Sequence, residues 1–237
     1  YPKKLDFAKS AIDNLDSLLY HTQHCANEMD EFDITPSCPI HIVPPPLEMG
    51  GFSVQDLLTN REENHIVYLG NLLEHKNAFG LIQAITNLEN ITLTIIGTGE
   101  LEETLNNYII ENNMTSRVSL AGYATDEQIS TYFLKADIFC APSRYEQFSL
   151  VYLEALAHGL PVIGYGPTID AIRNEMGINC GYSLFNFEPG HIEQAIIETL
   201  ATTWDRKELH DTVRESFNPK EIAKRLSSAI QEDNPHL

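Results

Sequence analysis

Apolar positions along this chain change their period at about Arg61. Before it, Leu5 to Met29 carries a helical but polar pattern that breaks at Asp30-Glu31-Phe32-Asp33 and Pro36-Ser37-Cys38-Pro39. Ile40 to Val43 then reads as a short strand with a rigid exit at Pro44-Pro45-Pro46. After Arg61, short apolar runs ending at glycine or proline alternate with longer amphipathic stretches, the pattern of parallel strands joined by crossover helices. The predicted strands are Ile66 to Leu69, Ile91 to Ile96, Val118 to Leu120, Asp137 to Ala141 and Leu160 to Gly164. The predicted helices are Ala78 to Leu88, Leu101 to Asn112, one opened by Thr125, Ser149 to His158, His191 to Thr202 and Lys220 to Gln231. Thr125 and Gln128 have the spacing of a capping box.

This order predicts an α/β fold, a doubly wound parallel sheet of Rossmann-like type over residues 39–237 with C-terminal helices. A helical segment, residues 1–38, precedes it. In such sheets ligands sit at the carboxyl ends of the strands, where loops and helix N-termini converge. The loops after Leu69, Ile96, Leu120, Ala141 and Ile163 are therefore the places to look.

Composition narrows the partners. The 34 acidic against 15 basic residues give a formal net charge of -19, which suits neither nucleic acid nor an anionic membrane, since both draw affinity from Lys and Arg. One local basic site can still hold a small phosphate. Cys25, Cys38, Cys140 and Cys180 lack C-x-x-C spacing, which points away from zinc or a disulfide scaffold and toward a reducing, cytoplasmic setting. No apolar run approaches the roughly 20 residues that span a bilayer. His21 and His24 have H-x-x-H spacing without a nearby third ligand, so no metal site is predicted. A start at Tyr1 without Met is expected of a fragment.

The densest chemistry follows Ala141. On a helical wheel Glu154 falls between Leu150 and Val151, an apolar arc on which a carboxylate needs a partner. Glu146 lies in the loop before that helix, beside backbone N–H groups that favour anions. Taken alone, Glu146 reads more readily as a solvated loop acid than as a ligand, while Glu154 reads equally as structural and Lys76 equally as an exposed loop lysine. Gly97-Thr98-Gly99 follows a strand, but Glu102 occupies the third glycine of a dinucleotide fingerprint, so that motif is absent.

The run from Pro142-Ser143 through Glu146 and Glu154 to Ala157-His158-Gly159-Leu160-Pro161-Val162 resembles the E-x7-E signature of glycosyltransferase family 4, retaining enzymes of GT-B fold. The likeness extends from about Ile40 to about Leu226. It implies that Glu146 contacts the transferred sugar, Glu154 the ribose, and the backbone at Phe148 and Ser149 the diphosphate. Gly70-Asn71 and Lys76 are similar to the family's phosphate loop, in which an Arg and a Lys clamp the donor. Lys76 matches the Lys, while Asn71 stands in the place of the Arg and offers only a neutral amide; Arg144 is a candidate substitute. Gly97 and Gly99 resemble the loop beside the base, and Gly122-Tyr123-Ala124 the loop that reads its edge. Gly166-Pro167-Thr168-Ile169-Asp170 departs from the family's Gly-Gly-x-Pro-Glu.

The resemblance implies the C-terminal, donor-binding half of a GT-B enzyme. Its donor is a UDP-sugar or GDP-sugar, and no further cofactor is implied. The acceptor, a glycan, lipid or protein hydroxyl, meets an N-terminal domain missing from this chain, through which any peripheral membrane attachment would come. Transfer by this chain alone is not expected. Two alternatives stay open: a non-catalytic partner or scaffold of a glycosyltransferase complex, and an epimerase or phosphorylase on the same fold.

Overall fold

The structure is a computed structural model that describes residues 11–12, 15–48, 55–59 and 61–233. Its elements in chain order are β1 (Leu18–Tyr20), α1 (Gln23–Asn27), β2 (Ile40–Ile42), β3 (His65–Leu69), α2 (Ala78–Ala84), β4 (Thr92–Ile96), α3 (Glu102–Glu111), β5 (Val118–Gly122), α4 (Asp126–Lys135), β6 (Ile138–Ala141), α5 (Leu150–Ala157), β7 (Val162–Tyr165), α6 (Gly166–Met176), β8 (Gly181–Leu184), α7 (Pro189–Ala201), α8 (Arg206–Ser216) and α9 (Pro219–Asp233). The chain divides into two compact units, Tyr1–Glu48 with Ser216–Leu237, and Met49–Glu215.

In the smaller unit β1 and β2 pair in parallel, Leu18 opposite Ile40 and Tyr20 opposite Ile42. This corrects two expectations. Leu18 to Tyr20 is strand where a helical stretch was predicted, because a short apolar run suits either state and pairing decides. Ala11 and Ile12 are helical as predicted, and helix resumes after Thr22, whose hydroxyl accepts from the Cys25 N–H. Ile40 to Ile42 joins this small sheet and not the large one, and α9 belongs with it, so the division does not follow residue 38. Leu5 to Ser10 lie outside the described residues.

The larger unit holds six parallel strands in the order β5-β4-β3-β6-β7-β8. This is the doubly wound, Rossmann-like α/β sheet predicted from the alternation of elements. Ile66, Val67, Ile95, Phe139 and Ile163 are fully buried along it, as strands covered by helices on both faces require. Thr125 and Gln128 form the predicted capping box on α4. The sequence pattern missed α6, β8 and α8. Gly166-Pro167 looks like a breaker, yet proline is suited to the first turn of a helix, where its missing donor costs nothing. β8 is too short for its period to show, and α8 is mostly polar while burying Arg206 and His210 beside Leu209 and Val213.

Strand order reverses between β3 and β6. Chain leaving β3 turns one way and chain leaving β6 the other, which opens a crevice at their carboxyl ends.

Candidate functional site

Both loops at that crevice are held by backbone bonds. After β3, Gly70 N–H donates to Ile96 O and Leu72 N–H to Thr98 O, each at 3.0 Å. The approach is so close that a Cβ on Gly97, at φ +135°, would lie 2.0 Å from the Gly70 oxygen. Gly70, Gly97 and Gly99 thus form one packed floor, with Gly99 against the Leu72 backbone. Beneath Asn71, the buried Tyr68 hydroxyl donates to the Asn71 carbonyl at 3.2 Å. Burial, with Glu146 and Cys140 adding, pushes the Tyr68 phenol well above its ordinary range, so it stays a neutral donor.

The chain then makes a 3-10 turn at Glu74–Lys76. It carries Lys76 to Glu146, with Nζ 2.7 Å from Oε1 and the two side chains 25% and 13% exposed. Seventy residues apart in sequence, these are the two groups assigned to catalysis by resemblance. The Arg144 N–H donates to the His75 carbonyl at 2.8 Å, locking the loop after β6 onto the same turn. From the other side, the buried Thr168 hydroxyl on α6 donates to the Glu146 carbonyl at 3.4 Å.

The start of α5 lies at the same end of the sheet. Ser149 is its N-cap residue but makes no side-chain cap bond, so the hydroxyl does not satisfy the donors of the first turn. Phe148 is half-buried just before it. Tyr152, fully buried, bridges the ends of β6 and β7: its hydroxyl donates to Ala141 O and accepts from the Tyr165 N–H, both at 3.0 Å.

Glu154 sits one turn further along and is half-buried. Burial first, and the Asp126 carboxylate second, push its carboxyl above the usual range. No hydrogen-bond partner for this carboxylate occurs among the described residues. The wheel argument needs correcting, however. Leu150 is 49% exposed and Val151 half-buried, so the arc shared with Glu154 is the least buried face of α5. With Tyr152, Leu153, Ala155, Leu156 and Ala157 all buried, almost every position is apolar, and a wheel cannot distinguish which arc meets the core.

Other expected residues are dispersed. Asn71 and Arg144 are exposed. Tyr123 is 82% exposed beyond β5, two strands from β3 and therefore roughly 10 Å across the sheet. Asp126, the carboxylate that acts on Glu154, opens α4 just after it. Asn77, Thr168 and Tyr152 were not foreseen, because their contacts come from loops remote in sequence. His21 faces the Val43 carbonyl at 3.1 Å and His24 lies 3.6 Å from Glu28. No group of three His, Cys, Asp or Glu that could hold a metal occurs among the described residues, nor any helix long and apolar enough to cross a membrane.

A cleft of about 480 Å3 lies at the opposite, amino end of the strands, lined in part by Arg61, Asn64, Asp137, Trp204 and Arg206. Its guanidinium groups are largely engaged. Arg61 pairs with Asp137, and Arg206 donates to Gly159 O and Ala136 O at 3.1 and 3.0 Å. The amino-end cleft thus has its charges bound to scaffold groups, and the convergence of polar groups favours the carboxyl end.

Residues 52–216 match the family described as Glycosyl transferases group 1. An uncharacterized glycosyltransferase of Methanocaldococcus jannaschii is 26% identical over 224 residues, 93% of this chain and 58% of that protein. The chain therefore spans little more than half the length of this curated relative. Sucrose-phosphate synthase from Thermosynechococcus elongatus has a similar fold, with a TM-score of 0.79 at 20% identity over 98% of this chain and 62% of that one. The pneumococcal O-GlcNAc transferase GtfA, solved in complex with UDP and GlcNAc, gives 0.72 at 21% identity over 96% and 47%.

Proposed function

The chain belongs to the group 1 glycosyl transferases, and from that premise we propose that it is the C-terminal, donor-binding half of a retaining family 4 glycosyltransferase. The donor is a hexose on UDP or GDP, and the acceptor is a hydroxyl of a glycan, lipid or protein brought by another domain. The observation that carries this reading is the Lys76–Glu146 pair at the sheet's switch point.

Breaking the glycosidic bond leaves negative charge on the diphosphate, and preorganised donors are what stabilise such charge. Lys76 supplies one. The first turn of α5, beside Phe148 and Ser149, supplies N–H groups and the positive end of the helix dipole. Arg144, whose N–H bonds the His75 carbonyl beside Lys76, supplies the cation that Asn71 does not. Glu146, released as Lys76 turns to phosphate, accepts hydroxyls of the sugar.

Glu154 accepts the ribose hydroxyls. Its raised carboxyl supports this role, because hydroxyl donors favour the charged form that burial disfavours. Gly97, Gly99 and Tyr123 border the base. Four cysteines outside any disulfide, three of them buried, support a reducing, cytoplasmic setting.

Calorimetric titration of UDP and GDP into the chain tests the reading, with binding expected to weaken in Lys76→Ala and Glu154→Gln. If neither nucleotide binds in a way that depends on these two residues, the donor site is wrong. A second reading, a non-catalytic partner that keeps the fold, is favoured by Asn71, whose exposed amide replaces the family's charged fork. Asn71→Arg in the full-length protein separates the two: faster transfer favours the enzyme, unchanged inactivity alongside intact assembly with a second transferase favours the partner.

A further inference from the structure

Lys76 is a flexible side chain on a short turn, and something must aim it. The residue after it, Asn77, has φ +57° and ψ 32°, the left-handed region that Asn tolerates better than other non-glycine residues. It is only 5% exposed. Its Nδ2 donates to the carbonyl of Phe187, 110 residues away in the loop between β8 and α7, at 3.2 Å. Its N–H donates to Glu74 O, and its own carbonyl accepts from Leu81 at the start of α2. Gly80 makes room for this amide, since a Cβ there would stand 2.6 Å from the Asn77 Oδ1. A surface loop residue needs none of these provisions.

We infer that Asn77 is a positioning residue for Lys76. The left-handed bend reverses the chain directly after Lys76, and the amide bond to Phe187 holds that bend against the loop after β8. Lys76 is thereby directed at Glu146 across the switch point. The inference rests on the proposed donor site only for what Lys76 then binds; the aiming itself is a property of the unliganded chain.

Two measurements test it. In 15N spectra of the lysine side chains without ligand, a slowly exchanging Lys76 ammonium signal is expected in the wild type and expected to disappear in Glu146→Gln. It should also disappear in Asn77→Gly, which keeps the left-handed φ, and in Asn77→Asp, which keeps the volume but loses the donor. Persistence of the signal in both Asn77 variants overturns the inference. In titrations with UDP and GDP, Asn77→Gly should weaken binding about tenfold, the equivalent of about one lost buried hydrogen bond. In a Lys76→Ala background the same change should cost nothing further, because a residue acting through Lys76 cannot act without it. An equal loss in both backgrounds marks Asn77 as a general structural residue and overturns the proposal. If the wild type binds neither nucleotide, the donor reading fails while the ammonium signal still decides the role of Asn77.

Discussion

The two ends of the six-stranded sheet treat charge in opposite ways. At the amino end, Arg206 is buried, and its Nε and Nη2 donate to the carbonyls of Gly159 and Ala136, which follow α5 and α4, while Nη1 is buried without a partner among the described residues. These are helix C-termini, where orphan carbonyls and the negative end of the dipole call for a cation. Burial first, and neighbouring Arg61 second, lower its pKa to about 10, still far above neutrality. At the carboxyl end the Lys76 ammonium and the Glu146 carboxylate bond each other, and the Glu154 carboxylate has no hydrogen-bond donor among the described residues. A charge bound to main-chain oxygens is part of the scaffold, whereas a charge bound to another mobile side chain can change partners when a ligand arrives.

That contrast is breakable. Arg206→Met leaves two buried carbonyls without donors and should lower unfolding stability by about 3 kcal/mol, read from urea denaturation. Nucleotide affinity of the fraction still folded should hold, and a loss of affinity without a loss of stability would falsify the assignment of Arg206 to the scaffold. Lys76→Ala should do the reverse. Its pair is partly exposed, so stability changes by less than about 1 kcal/mol, while UDP or GDP binding falls on the order of a hundredfold as Glu146 is left facing the diphosphate.

His158 sharpens the scaffold side. Its Nδ1–H donates to the Glu154 carbonyl at 2.7 Å, which leaves Nε2 to accept from the Ser130 hydroxyl at 2.9 Å. Burial, aided by His210 and Arg206 and opposed by the bond to Glu154, lowers its pKa from 6.5 to about 4. The folded state therefore binds this proton less readily than the unfolded chain. The contribution of the neutral ring is fully present above pH 6.5 and is lost as pH falls through about 4, amounting to about 3 kcal/mol. Denaturation at stepped pH should show the slope in the wild type and a flatter one in His158→Asn.

The smallest effect belongs to Glu154. Glu154→Gln removes a charge that burial and Asp126 already disfavour, so stability should stay within about 0.5 kcal/mol while nucleotide affinity drops about tenfold. A clear fall in stability would place Glu154 among the structural residues of α5.

Much of this was legible before folding. Alternating runs ending at Gly70, Gly97 and Pro142 foretold the parallel sheet, because strand and helix periods differ and each turn residue stops one of them. Thr125 and Gln128 foretold a helix start because capping is local. Lys76, Glu146 and Glu154 were singled out by position and resemblance. The burial of α5 was misjudged, since its near-uniform apolarity hides which face meets the core. Leu18 to Tyr20 was misjudged because three residues have no period of their own.

The sequence by itself determined the alternation of elements, the acidic balance and the residue types at the strand ends, all of which are written in neighbours a few positions apart. Tertiary structure alone decided that Lys76 meets Glu146, that Thr168 on α6 bonds the Glu146 carbonyl, that Asn77 bonds Phe187 in the loop after β8, and that Ile40 to Ile42 pairs with Leu18 to Tyr20. Those contacts join residues separated by 22 to 110 positions. Only closure of the sheet brings them within hydrogen-bonding distance, and no local pattern records which loop will face which.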